Sequence, residues 1–203
     1  MPSPRGLRNI TGVVATIVPL LLLPGCRSIE AARAVRASAD PYGVIRLTDG
    51  QRTNRVDVRD QMSGCFGELY DSRDGLIGFE SGSLKILDVA TVDRRTYVFA
   101  VASAKPNCDI QGPCGKSDRL DTTLIWLNIA PDLTVSSRQL FAVDDCRESR
   151  SVVTNDKNWA RHPRLANGAL DLTFREGRNN VTNGRALYEK GAPAVGIQIV
   201  RTP

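Results

Sequence analysis

Leu84-Lys85-Ile86-Leu87-Asp88-Val89-Ala90-Thr91-Val92, then Asp93-Arg94-Arg95, then Thr96-Tyr97-Val98-Phe99-Ala100-Val101-Ala102, reads as two strands either side of a turn. Both arms are rich in β-branched and aromatic residues, which suit a pleated surface, and the polar triplet between them is short enough for a hairpin. The same design recurs outward from here. Gly43 to Leu47 and Arg55 to Arg59 flank Asp49-Gly50, and Glu68 to Tyr70 and Leu76 to Phe79 flank Asp74-Gly75. Asp-Gly readily takes the positive φ angles of a tight turn. Thr122 to Ile129, Ser137 to Val143, Ala169 to Phe174, Arg185 to Tyr188 and Val195 to Arg201 read as further strands, separated by loops rich in Asn, Gly, Pro and Asp.

About eleven short strands with close-set turns predict an all-β fold, an antiparallel meander arranged as a sandwich or barrel. There is no spacing of alternating strands and helices that would build a parallel sheet, and no fixed-period repeat to support a propeller. The 203 residues are 41% hydrophobic and 24% charged, which excludes a disordered chain and a collagen-like one. One domain that buries most of its apolar surface without cysteine staples is the expectation.

The first 26 residues have a different texture. Arg5 and Arg8 precede Ile10 to Leu23, a segment of 14 residues that is apolar apart from Thr11, Gly12 and Thr16, and it ends at Pro24-Gly25-Cys26. A charged start, a short apolar core and a small residue before the cut form an export leader, and the core is too short to span a bilayer. Leu22-Leu23-Pro24-Gly25-Cys26 resembles the lipobox of bacterial lipoproteins, with Pro24 where a small or aliphatic residue is usual. The resemblance implies a signal peptide over residues 1–25, removed by cleavage. Cys26 then carries diacylglycerol on its thiol and an acyl chain, such as palmitate, on its amine. More than one acyl chain makes such an anchor stable. The protein would face the periplasm from a membrane, and Arg27 favours the outer one where there are two. Ordinary secretion and a buried N-terminal helix are the other readings, and Pro19, Pro24 and Gly25 argue against the helix.

Residues 26–41 then read as lipid anchor and tether, with one or two helical turns around Ile29 to Ala37, and 42–203 as the single β domain. Two of the 27 basic residues and none of the 22 acidic ones lie in the leader, so the mature chain carries a net charge of only +3. An exported, mildly basic domain is a poor candidate for nucleic-acid binding. Arginines make up 22 of the 27 basic residues, which suits carboxylate or phosphate recognition but also follows from a GC-rich genome.

Four cysteines remain after Cys26, an even number in an exported chain, which predicts two disulfides. Cys108 and Cys114 close a short Gly-Pro-containing loop and are paired here, leaving Cys65 with Cys146. A four-thiolate zinc site is the competing reading, but it wants cysteine pairs two to four residues apart, and the spacing offers none.

No catalytic residues, metal site or cofactor emerge. His162 is the single histidine, and no serine sits in a Gly-x-Ser-x-Gly elbow. Asp144, Asp145 and Glu148 read first as a solvated turn, and no Gly-rich loop has the spacing that cradles a nucleotide. Trp126, inside Leu124 to Leu127, reads as core. What remains is the segment 147–164, the longest run between confident strands, where Arg147, Arg150, Arg161 and Arg164 accompany Trp159 and His162. Arginine with tryptophan is the composition of interface hot spots, set against the blander reading of a charged loop with its Trp packed down. The expectation is a lipid-anchored envelope module that binds a protein or glycan without catalysis. The alternatives are an inhibitor or immunity protein against a cell-wall hydrolase, and a carbohydrate-active enzyme using two carboxylates.

Overall fold

The computed structural model describes residues 34–40, 43–59, 70–72, 75–77, 82–104, 120–146, 148–156, 158–177 and 182–202. Residues from Ala32 onward form one compact unit. The fold is all β. Eleven strands form three antiparallel sheets: β1 (Arg36–Ala39), β2 (Val44–Thr48) and β3 (Thr53–Asp57); β6 (Ser83–Val92), β7 (Arg95–Ala104), β8 (Asp121–Ile129) and β9 (Val135–Asp144); and β10 (Ser151–Val153), β11 (Ala169–Glu176), β12 (Thr182–Glu189) and β13 (Gln198–Thr202). A separate hairpin pairs β4 (Tyr70–Ser72) with β5 (Gly75–Ile77). Within each sheet the strands follow chain order, so each is a plain meander.

The three sheets stack as layers, because the middle one is apolar on both faces. Along β7, Tyr97, Phe99 and Val101 alternate with Val98, Ala100 and Ala102, and β8 does the same with Leu124 and Trp126 against Ile125, Leu127 and Ile129. The first set joins Leu170, Leu172, Phe174, Ala186 and Tyr188 of the third sheet in one core. The second set joins Ile45, Leu47, Val56 and Val58 of the first sheet in another. A sheet covered on both sides reads as a continuous hydrophobic run, as Tyr97 to Ala102 does. Among the described residues no pairing closes a sheet on itself, so the arrangement there is a layered sandwich of meanders.

Three expectations are corrected. The stretch read as tether contains β1, whose register sets Ala37 opposite Leu47. Val35 and Ala37 pack against the second core while Arg36 and Ser38 are exposed, so period-two burial overrides the helix propensity of alanine there. The long loop is interrupted by β10, which pairs Val152 with Phe174 and turns Val152 into the core. Gly75 lies in β5 opposite Ser72 and is not a turn residue. The turn at Asp93-Arg94 is where the sequence puts it, with φ of 50° and 65°, a left-handed pair held by two non-glycine residues.

Candidate functional site

The segment singled out as an interaction surface is organised by the burial of its tryptophan. Thr154 Oγ1 accepts from Asp156 N at 3.1 Å and Asp156 Oδ1 accepts from Asn158 N at 3.0 Å, which starts a tight turn. His162 N then donates to Asn158 O at 2.9 Å, closing it. Inside that turn Trp159 is 7% exposed and belongs to the core with Leu170, Leu172 and Tyr188. It is therefore not a solvent-facing anchor. With the indole held inward, Arg161, His162 and Arg164 are exposed, and Pro163 is buried between them.

Arg150 leaves the candidate surface for a different reason. Its guanidinium donates to Ala142 O at 2.5 Å, pairs with Glu148 at 2.9 Å and Glu176 at 3.1 Å, and lies 4.8 Å from the centre of the Phe141 ring. Arg201 meets the other oxygen of Glu176 at 2.6 Å. Hydrogen bonding from Arg201, and then from Arg150, holds the Glu176 carboxyl below its usual range. Arg150 is thus an internal strut tying β9, β10 and β11 together. Arg147 lies outside the described residues. Asp145, read as part of a solvated turn, is buried. Its backbone exchanges two hydrogen bonds with Arg150, and its side chain accepts from Glu148 N at 3.2 Å.

Cys146 is disulfide-bonded, and its N–H donates to Asp121 Oδ1 at 2.9 Å. Cys26, Cys65, Cys108 and Cys114 lie outside the described residues, so the expected anchor and pairings do too. Trp126 is core, as expected, with its indole N–H donating to Pro193 O at 2.8 Å. Among the described residues no three His, Cys, Asp or Glu side chains stand together as a metal site.

What the sequence reading missed is the floor on which the turn sits. The next turn, Asn167-Gly168, has φ of 51° and 78°, the left-handed pair that Asn-Gly favours, and Gly168 O accepts from Lys190 N at 2.9 Å. That bond lays residues 163–168 beside the end of β12 and against β6. An open groove of about 390 Å³ results, lined by Lys85, Ile86, Leu87, Arg164, Leu165 and Lys190 with the two turn residues Pro163 and Gly168. Its lining has three cations and no acid. A smaller one of about 210 Å³ is lined by Gly82, Ser83, Leu120 and Arg161, so both grooves border the start of β6.

Beneath the larger groove β6 changes phase. Its register against β7 shifts between Ile86 and Asp88, a bulge that leaves Leu87 extra. Leu84 and Ile86 pack on the second core, Leu87 on the first, and Asp88 also faces the first. There the Tyr188 hydroxyl donates to Asp88 Oδ2 at 2.7 Å, and Lys190 Nζ stands 3.5 Å from Oδ1. The Asp88 side chain is 2% exposed and that of Lys190 63%, so a buried carboxylate steadies a lysine at the groove. Burial, and then the Asp88 carboxylate, push the Tyr188 phenol well above its ordinary range. Tyr188 also stacks on Phe99 at 3.9 Å between ring centres.

No family model, curated protein or solved structure matches the chain.

Proposed function

We propose that this protein is a lipid-anchored, non-catalytic binding module of the bacterial cell envelope, which captures an envelope protein or glycan through an anionic group of that partner. The observation that carries the reading is the groove at β6, where Lys85, Arg164 and Lys190 surround an apolar floor, while the acids that pair with two of them, Asp156 with Arg164 at 3.4 Å and Asp88 with Lys190 at 3.5 Å, lie outside the lining. Buried Trp159 anchors the turn that carries Arg164, and Asp88 steadies Lys190, so two of the three cations reach the groove from rigid supports. The leader with Leu23-Pro24-Gly25-Cys26 supports the address and the lipid anchor on Cys26. The projection of Arg161 and Arg164 from one turn also suits the inhibitor reading, in which the anionic groups are the carboxylates of a hydrolase cleft.

Two variants of the full chain test this. Cys26→Ser is expected to abolish incorporation of labelled fatty acid, and unchanged acyl mass in that variant would refute the anchor. Arg161→Ala with Arg164→Ala is expected to weaken partner capture from solubilised envelope by at least tenfold, a loss of about 1.4 kcal/mol, while the thermal midpoint stays put. Normal capture by the folded double variant would place the interface elsewhere.

A further inference from the structure

We infer that the outer face of the β1-β2-β3 sheet docks flat on anionic phospholipid headgroups. Ile45, Leu47 and Val56 point into the core, so the alternate residues of those strands face away from it. On that outer face Arg46 stands directly opposite Arg55, with Ser38 beyond Arg46, and Arg36 lies in the neighbouring row with Thr48 and Thr53. Like charges directly opposite one another across two strands are unfavourable. The nearby acids do not relieve them through ion pairs: Asp57 is paired with Arg59, and Asp49 with Arg52. The guanidinium groups of Arg36, Arg46 and Arg55 make no ion pair among the described residues. The rest of the outer face is Ser38, Thr48 and Thr53, small polar side chains, and at one end Val44, which is buried, opposite Asp57, which is exposed and paired with Arg59, so Arg36, Arg46 and Arg55 are the projecting cations.

Position in the chain selects the occupant. Arg36 opens β1 ten residues after Cys26, and ten residues extended reach at most about 35 Å. An acyl anchor at Cys26 therefore holds this sheet, before any other, within reach of the bilayer. Arginines close to an anionic membrane surface are attracted with roughly 1 kcal/mol each, about fivefold in partition, and the attraction is lost as salt rises. The surface is separate from the β6 groove, and it rests on the anchor reading only for its geometry.

Partition of the full-length Cys26→Ser chain onto phosphatidylglycerol-containing vesicles, against pure phosphatidylcholine vesicles, isolates the patch from the anchor. The expected result is tighter partition on the anionic vesicles, falling with added salt. Arg46→Gln with Arg55→Gln is expected to lower it about 25-fold with an unchanged or slightly raised thermal midpoint. In the native chain reconstituted on the same anionic vesicles, a spin label at Ser38→Cys is expected to be shielded from aqueous quencher. Equal partition of the folded double variant and its parent overturns the inference, as does equal partition on neutral vesicles. Full displacement by double-stranded DNA also overturns it, by making the face a general polyanion surface. If the native chain carries no acyl mass, the anchor reading fails while the partition measurement still decides the patch.

Discussion

Asp88 is the residue with most at stake in this fold. A carboxylate in a layer of Phe99, Leu172 and Tyr188 is tolerated because the Tyr188 hydroxyl and the Lys190 ammonium both address it. Tyr188→Phe keeps the ring that stacks on Phe99 and removes only the donor. It is expected to cost about 2 kcal/mol in urea unfolding, since a buried acceptor is left short of its partner; a loss below about 0.5 kcal/mol would mean that water serves Asp88 as well. The same pair sets an alkaline limit. The folded pKa of Tyr188 lies above the ordinary 10.0, so its contribution to stability is intact below pH 10.0 and falls as pH rises beyond it. Glu176 works in the opposite sense: its folded value lies below 4.5, so its contribution is present above pH 4.5 and is lost as pH falls through the folded value. Stability curves of Tyr188→Phe and Glu176→Gln should therefore lose slope only at the alkaline and only at the acid end respectively. Both escaped the sequence reading because their partners are distant in the chain: Asp88 lies 100 residues from Tyr188 and is brought to it by layer stacking, and Arg201 lies 25 residues from Glu176 and is brought to it by the pairing of β12 with β11 and β13, neither of which periodicity encodes. The bulge did leave a trace: in Leu84-Lys85-Ile86-Leu87-Asp88-Val89 the apolar phase slips by one at Leu87.

The strands themselves were largely legible, because half-buried strands alternate and doubly buried ones run apolar. Val56 and Val58 against Asp57, and the unbroken Tyr97 to Ala102, are those two signatures. Two short elements were not. Ser151-Val152-Val153 is three residues long amid charges, and Arg36 to Ala39 wears the composition of a helix. The Asp93-Arg94 turn was located but not costed, since left-handed φ at a non-glycine residue is unfavourable. Arg94→Gly is expected to raise stability by about 1 kcal/mol, and a decrease in thermal midpoint would show that Arg94 contributes contacts that outweigh its backbone strain. Gly184 presents the opposite case, because a Cβ there would lie 2.2 Å from the Phe174 ring. Gly184→Ala is expected to destabilise by about 1–3 kcal/mol through overpacking. In the 159–165 turn the sequence reading placed tryptophan and arginines together, and the structure divides them between core and surface. Trp159→Ala should accordingly cost about 3–5 kcal/mol, whereas Arg161→Ala with Arg164→Ala should stay within about 0.5 kcal/mol of the parent.

The unit from Ala32 onward holds three meanders in layers, with the first sheet on one side of the middle layer and the 159–165 turn packed with the opposite core. In the arrangement proposed above, the first sheet meets a bilayer and the β6 groove meets a partner. Site-specific photo-crosslinking in intact cells asks whether the groove is the binding face. A photoreactive residue at Arg164, at the groove, is compared with one at Thr173 on the outer face of the third sheet. A discrete adduct is expected from position 164, lost when Lys85→Glu is added, and none from position 173. Adducts of equal yield from both positions, or a discrete adduct from 173 alone, would contradict that reading of the groove.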